Sequence, residues 1–227
     1  MSLTSDDLTV AMITWNEEKA VGKVIADIRS VVPDAEILVV DSSSDRTAEI
    51  AESLGARVIL QVPAQGYGPA MDLALRSGRG RVVVTLDCDD TYPVEFIEPL
   101  ARKILDEGYD LVDASRLKGK PEAMPWINYL ANLGFALLAS LLFGRHFSDL
   151  HSGMRAYRIE RVRQLRYQAR GAALPVELLL RPAREGWKMT SVYIPYRERV
   201  GTSTMQPLAG AWWTLKRILV CRFGGKA

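Results

Sequence analysis

Short apolar runs alternate with helix-spaced apolar positions through the first half of the chain. Thr9–Trp15 reads as a strand, and Glu17–Val32 as a helix that ends at Pro33. Glu36–Asp41 is a strand, Asp45–Leu54 a helix stopped by Gly55, and Arg57–Gln61 a strand. Pro69–Ser77 is a helix, Arg81–Asp87 a β-branched strand, Pro93–Glu107 a helix opened by proline, and Asp110–Ser115 another strand. Strands that alternate with helices imply an α/β fold with a mostly parallel, twisted sheet flanked by helices. Ligands of such sheets bind at the carboxyl ends of the strands. The polar clusters Asn16–Glu18, Asp41–Asp45, Asp87–Asp90 and Arg116 fall at those ends, which locates a candidate site from pattern alone.

The second half reads differently. Ile127–Gly144 is an almost unbroken apolar helix former, interrupted by Asn128, Asn132 and Ser140. A polar stretch follows, Ser148–Arg158, then a helix at Leu174–Glu185 and a strand at Lys188–Pro195. Leu208–Phe223 closes the chain as an amphipathic helix, with Leu208, Ala211, Trp212, Leu215, Ile218 and Leu219 on one stripe and Arg217 opposite. No internal repeat or low-complexity segment breaks the pattern. The whole chain, 1–227, is therefore expected to be one domain. A first half spans about 9–116, a second half with the apolar helix 127–144 about 117–206, and the terminal helix 207–227.

Composition narrows the classes. Hydrophobic residues make up 48% and charged residues 25% of 227, the balance of an ordinary folded protein. A net charge of +2 provides no basic field for nucleic acid. The cysteines, Cys88 and Cys221, have no C-x-x-C spacing, and the histidines are His146 and His151 alone, so a disulfide framework, a zinc site and a histidine-rich metal centre are not expected. Met1–Leu8 is polar and acidic, unlike a secretion signal, and the expected location is cytoplasmic.

Asp87-Cys88-Asp89-Asp90 is the sharpest chemical feature. Carboxylates crowded at the end of a buried strand repel one another unless a positive group neutralises them. A hard divalent cation, Mg²⁺ or Mn²⁺, does so through oxygen ligands and bridges a diphosphate. Asp87 and Asp89 are the expected metal ligands; the bland alternative is a solvated acidic turn before the helix at Pro93. Gly66 and Gly68 flank Tyr67 ahead of a helix, where backbone amides can approach a phosphate or simply turn the chain. Arg116, Arg155, Arg197 and Arg199 are candidate phosphate clamps or surface arginines. Asp149 reads as a general base, an arginine partner or a cap, and Glu177 as a carboxylate that suits a helix start. Cys88 reads as a small buried hydrophobe, and His151 as a hydrogen-bonded loop residue.

These pieces resemble glycosyltransferase family 2, in order and over nearly the whole chain. Ile13-Thr14-Trp15-Asn16-Glu17-Glu18 is similar to the family's opening "YNEE". Val39-Val40-Asp41-Ser42-Ser43-Ser44-Asp45-Arg46-Thr47 is similar to "VVDDGSTDGT" with one residue deleted, and Gly66-Tyr67-Gly68-Pro69-Ala70 to "GxGxA". Leu86-Asp87-Cys88-Asp89 matches the D-x-D. Ala114-Ser115-Arg116, Asp149 with Ser152-Gly153-Met154-Arg155, Pro175-Val176-Glu177 and Arg199-Val200-Gly201-Thr202-Ser203 resemble dolichol-phosphate mannose synthases and related polyprenyl-phosphate sugar transferases. The resemblance implies a GT-A fold, an inverting transfer and a nucleotide-diphosphate sugar donor. It also implies that Asn16, Glu17 and Asp41 hold base and ribose, that Asp87 and Asp89 hold metal and diphosphate, and that Arg116, Arg155 and Arg199 hold phosphates. Two positions depart from the family pattern: Ser42 replaces a second acid, and Thr91 stands where mannose synthases often carry glutamine.

A polyprenyl-phosphate acceptor brings an oxygen that is already ionised, so positioning and electrostatics suffice. A hydroxyl acceptor needs a base, and Asp149 is the candidate. A sugar-1-phosphate nucleotidyltransferase would open with a glycine-rich loop and a lysine, where this chain has Trp15-Asn16-Glu17. An inactive membrane-bound scaffold is disfavoured by the intact Asp87 and Asp89. Ile127–Gly144 and the terminal helix read either as helices packed in the core or as helices lying in a membrane interface; the amphipathic stripe of the terminal helix favours the second, which places the protein peripherally on the cytoplasmic face. A single crossing at Ile127–Gly144 would separate Asp87 and Arg116 from Asp149, Arg155 and Arg199.

Overall fold

A computed structural model of the chain describes residues 2–171, 173–198 and 207–224. Seven strands, β1 (Leu8–Thr14), β2 (Glu36–Asp41), β3 (Arg57–Leu60), β4 (Val82–Thr85), β5 (Leu111–Ser115), β6 (Arg155–Arg158) and β7 (Met189–Tyr193), form one sheet in the order β3-β2-β1-β4-β6-β5-β7. β1 pairs in parallel with β2 and β4, β2 with β3, and β5 with β7. β6 runs antiparallel to both neighbours, Val84 facing Ala156 on one side and Val112 facing Ala156 on the other.

The strands carry apolar residues on both faces, and period-2 alternation divides them between two cores. Val10, Met12, Val39 and Val84 pack with α1 (Val21–Val31) and α4 (Ile97–Leu105). Ala11, Val40, Val83 and Tyr157 pack with α3 (Tyr67–Ser77), α6 (Ile159–Gln164) and α7 (Leu174–Arg184). α2 (Thr47–Ser53) joins the first core through Ala51.

Three local expectations are corrected. The first helix starts at Val21 rather than Glu17, because the backbone of 16–18 is tied sideways to the loop after β2: Asn16 N donates to Ser43 Oγ at 2.7 Å and Glu17 N to Thr47 Oγ1 at 2.9 Å. Ser148–Arg158 contains strand β6, which a polar stretch concealed. Two of that strand's four residues are arginines, so its apolar alternation is weak, and partners elsewhere in the fold bury Arg155. The helix at 93–107 opens with a single 3₁₀ turn, Val94–Phe96, before α4.

α5 (Trp126–Phe143) and α8 (Pro207–Phe223) lie side by side, with α8 also resting on α7. α5 buries only Ala136 and Ala139, and Trp126, Ile127, Leu130, Leu137 and Leu141 form an exposed apolar line. By length and composition its 18 residues suffice to cross a membrane. Of the stripe expected to face a membrane interface, Trp212 and Leu219 are exposed, but Ile218 turns inward. The buried line is Thr214, Ile218 and Cys221; the Leu208 side chain lies outside the described residues. Arg217 does not point away from the body. It reaches the fully buried Glu177 of α7 and donates to the Arg170 carbonyl at 2.7 Å, fixing which face of α8 turns inward.

Candidate active site

The carboxyl ends of β1 and β2 build one wall. Asp41 ends β2 and is 1% exposed. Its Oδ1 accepts from Thr14 Oγ1 at 2.6 Å and Ser43 Oγ at 2.6 Å, so two neighbouring strand ends set its direction. Asn16 takes a left-handed backbone (φ 58°), a region asparagine tolerates, and its Oδ1 accepts from Ser44 N at 3.0 Å. Trp15 beside it is exposed. Asp45 Oδ1 receives both the backbone N and the Oγ1 of Thr47, closing the loop into α2.

β4 supplies the acidic centre. After its last residue the chain passes through Asp87, Cys88 and Asp89, then turns at Asp90 in the left-handed region (φ 62°). The turn divides the carboxylates. Asp90 swings out to Lys23 Nζ of α1 at 2.7 Å. Asp89 is 3% exposed, and its Oδ1 accepts from Thr91 Oγ1 at 2.6 Å and Thr91 N at 3.2 Å. Burial raises the Cys88 thiol, and the negative charges of Glu17, Asp89, Asp87 and Asp41, from three strand ends, raise it further. Among the described residues no group of three or more His, Cys, Asp and Glu side chains forms a ready metal cage. Two aspartates fit a hard ion that takes one or two protein carboxylates and completes its shell with substrate phosphates and water.

The opposite wall comes from the loop between α5 and β6. Asp149, 0% exposed, grips Arg116 side-on: Nε to Oδ2 at 2.7 Å and Nη2 to Oδ1 at 3.0 Å. Burial pushes the Asp149 carboxyl up, but the Arg116 charge and hydrogen bonds overcome it and hold it at about 2. The same pairing raises Arg116 well above its ordinary value against burial. The Arg116 guanidinium lies 5.0 Å from the Tyr196 ring centroid, and Tyr196 meets Tyr92 edge-on at 5.8 Å. Tyr92 Oη accepts from Gly153 N at 2.7 Å, and its raised pKa reflects burial, opposed by Arg116 and reinforced by Asp87. Tyr92 therefore stands between the acidic centre and the arginine wall.

Several assigned roles change with these contacts. Asp149 is the arginine partner, one of its three sequence readings: both of its oxygens accept from Arg116, whose charge holds the carboxyl at about 2. Arg155 is not a surface clamp. It is 1% exposed, with Nε on Asp113 Oδ1 at 2.6 Å, Nη1 on the Pro175 carbonyl and Nη2 on the Leu150 carbonyl at 3.1 Å. Burial pushes Asp113 up to about 6 against the Arg155 charge, which leaves the pair ionised at neutrality. A Cβ at Gly68 would stand 2.7 Å from the Ala169 backbone, so packing against that segment requires glycine there. Gly66, at φ 93°, turns the chain into α3. Arg197 pairs with Glu95 at 3.1 Å on the surface, and Arg199 lies outside the described residues. Tyr92, Tyr196 and Gly153 escaped the sequence reading as site residues; only the Pro93 and Ser152-Gly153 motifs pointed at their neighbourhood.

The glycosyl transferase family 2 profile matches residues 9–166. A dolichyl-phosphate hexose transferase of Haloferax volcanii is 47% identical over 208 residues, covering 91% of this chain and 90% of the relative. An undecaprenyl-phosphate mannosyltransferase of Micrococcus luteus is 28% identical, covering 85% of this chain and 84% of its own. Among solved structures, glucosyl-3-phosphoglycerate synthase from Mycobacterium tuberculosis, crystallised with Mn²⁺, uridine diphosphate and phosphoglyceric acid, superposes with a TM-score of 0.78. It is 22% identical over 98% of this chain and 80% of its own, a likeness of fold.

Proposed function

Because the chain belongs to glycosyl transferase family 2 and has the GT-A fold, we propose that it moves a hexosyl group, with inversion, from a nucleotide-diphosphate sugar to a polyprenyl phosphate. The observation that favours a phosphate over a hydroxyl acceptor is the state of Asp149. Both of its oxygens accept from Arg116, and that charge holds the carboxyl below the ordinary carboxylate value, which makes it a poor acceptor for a hydroxyl proton, whereas a phosphate oxygen arrives ionised. The 47% identical relative, a dolichyl-phosphate hexose transferase, points the same way.

In this reading Asn16, Glu17 and Asp41 hold base and ribose at the ends of β1 and β2. Asp87 and Asp89 would hold a Mg²⁺ or Mn²⁺ ion, and Thr91 orients Asp89 through two hydrogen bonds to its Oδ1. What such an ion supplies when bound is neutralisation of the charge on the departing nucleotide diphosphate. Asp149 engages Nε and Nη2 of Arg116, so Nη1 is the atom that Arg116 presents to the acceptor phosphate. Arg155 is a positioning residue that ties the 149–155 loop to β5 through Asp113. Arg199 is proposed as a second phosphate contact on the family resemblance alone.

The acceptor's polyprenyl chain needs an apolar surface beside the site. The exposed line on α5, together with Trp212, Trp213 and Phe223 on α8, offers one, with Lys120, Lys216 and Arg222 near its aromatic rings. The protein thus rests peripherally on a membrane. The deciding experiment incubates it with Mn²⁺, a panel of nucleotide sugars and either a polyprenyl phosphate or the corresponding polyprenol. The expected result is nucleotide diphosphate released with the phosphate alone. Release with the alcohol and not the phosphate would overturn the acceptor assignment.

A further inference from the structure

Gly153 sits on the loop before β6, in the segment that also carries Asp149 and Ser152. Its neighbours fix its backbone on both sides. Its N–H donates to Tyr92 Oη at 2.7 Å, and its carbonyl accepts from Thr85 Oγ1 at 2.9 Å. Ser152 Oγ donates to the Ala114 carbonyl at 2.5 Å, which anchors the preceding residue to the end of β5. The peptide therefore has little freedom to rotate or retreat. Gly153 does not adopt a positive φ, so backbone conformation is not what requires glycine here.

The requirement is space. A Cβ at position 153 would lie 2.7 Å from Asp87 Oδ2 and 3.0 Å from both its Cγ and its Oδ1. Carbon atoms do not approach a carboxylate that closely, so one partner must move. The residue 153 backbone is held by Tyr92, Thr85 and the β6 register, while Asp87 is the side chain with rotatable bonds. A methyl group at 153 would displace the carboxylate.

We infer that Gly153 is a positioning residue for Asp87: the absent side chain is the space in which the metal-binding carboxylate is seated, and the Tyr92 hydroxyl and Thr85 hydroxyl set the level of that seat. The inference rests on the reading of Asp87 as a ligand of the divalent ion. Metal sites are sensitive to the groups that orient their ligands, and loss of one such contact typically lowers metal affinity by about 10–100-fold. Asn16 and Asp41, the residues proposed to hold base and ribose, lie at other strand ends, away from Gly153.

The test titrates Mn²⁺ by electron paramagnetic resonance, alone and with uridine diphosphate, against wild type, Gly153→Ala and Gly119→Ala. Gly119 has nothing within 4 Å of a built Cβ and serves as the neutral control. Gly153→Ala is expected to raise the Mn²⁺ half-saturation by about 10-fold or more, with uridine diphosphate binding in EDTA unchanged and Gly119→Ala matching wild type. Should Gly153→Ala not fold, Tyr92→Phe decides, since it frees the Gly153 N–H without adding bulk. A weakened Mn²⁺ signal in that variant supports the inference. Wild-type Mn²⁺ affinity in folded Gly153→Ala, or in Tyr92→Phe where the alanine variant does not fold, overturns it. If the wild-type protein binds no Mn²⁺ in either condition, the metal reading itself fails and the inference falls with it.

Discussion

Asp149 holds Arg116 side-on through two hydrogen bonds of 2.7 and 3.0 Å, and both side chains are almost fully withdrawn from water. The pair links the loop after α5 to the end of β5, and it aims the remaining edge of the guanidinium. Arg116→Ala would leave a buried carboxylate without its counter-charge, at a cost of about 3–5 kcal/mol. The expected outcome is a clear fall in melting temperature together with lost turnover. Arg116→Lys retains charge but not the fork, and is expected to keep the fold while raising KM for the polyprenyl phosphate about 10-fold or more. An unchanged acceptor KM in a folded Arg116→Lys protein would sink the phosphate contact.

Turnover is expected to require a divalent ion and to vanish in Asp87→Asn and in Asp89→Asn. Thr91→Val removes the 2.6 Å hydrogen bond to Asp89 Oδ1 and is expected to raise the metal concentration needed for half-activation by about 10-fold, with kcat recovered at saturating metal. Full activity in EDTA would remove the metal from the mechanism.

The contacts of α8 separate docking from membrane binding. Glu177 is fully buried between Arg181 and Arg217, so Arg217→Met strips one of two positive partners from a buried charge. A fall in melting temperature is expected, with liposome flotation retained at low temperature. Trp212→Ser combined with Trp213→Ser removes exposed rings and is expected to abolish flotation on anionic liposomes at wild-type melting temperature. Flotation that survives the double substitution would place the membrane contact elsewhere. Truncation after Pro207 is a poorer test, because it also unseats Ile218 and Cys221 from the core.

Acid should destabilise the fold through His151. Its Nε2 lies 2.9 Å from Thr214 Oγ1 of α8, and burial pushes the imidazole down to about 4 against the pull of Asp149. The unfolded chain binds the proton near the ordinary value of about 6.5 and the folded chain does not, so this contribution is complete above 6.5 and is lost as pH falls toward 4. The loss is on the order of 2–3 kcal/mol by linkage. Melting temperature measured from pH 7 to pH 4 is expected to fall less steeply in His151→Gln than in wild type. Parallel curves would show that His151 titrates alike in both states.

Most of the frame was legible in the residue pattern. Each parallel strand of the first half is a compact apolar run between turn signals, and β2 was located to the residue, Glu36–Asp41, because both its faces are buried. The acidic centre was legible for a related reason: Asp87 and Asp89 follow a β-branched run, and strand ends in such a sheet are where ligands meet. β6 was not legible, since its buried positions include Arg155, whose partner Asp113 is 42 residues away in sequence. The inward face of α8 was hidden by the same kind of distant pairing, Arg217 with Glu177 across 40 residues.

The linear order of apolar and polar residues thus determined what is local: the alternating elements, the sheet they form, and the carboxylates at the ends of its strands. Periodicity and strand ends are properties of neighbouring residues, and a single chain displays them directly. Tertiary structure decided which charges are spent on one another. Arg155, a candidate clamp in the sequence, proves to be the buried partner of Asp113, and Asp149, for which the sequence left three roles open, proves to be the partner of Arg116, while Gly153, chemically silent, proves to border Asp87. Those outcomes depend on which side chains meet after folding, because the charge state of a buried group and the room beside a carboxylate are set by neighbours that sequence distance does not reveal.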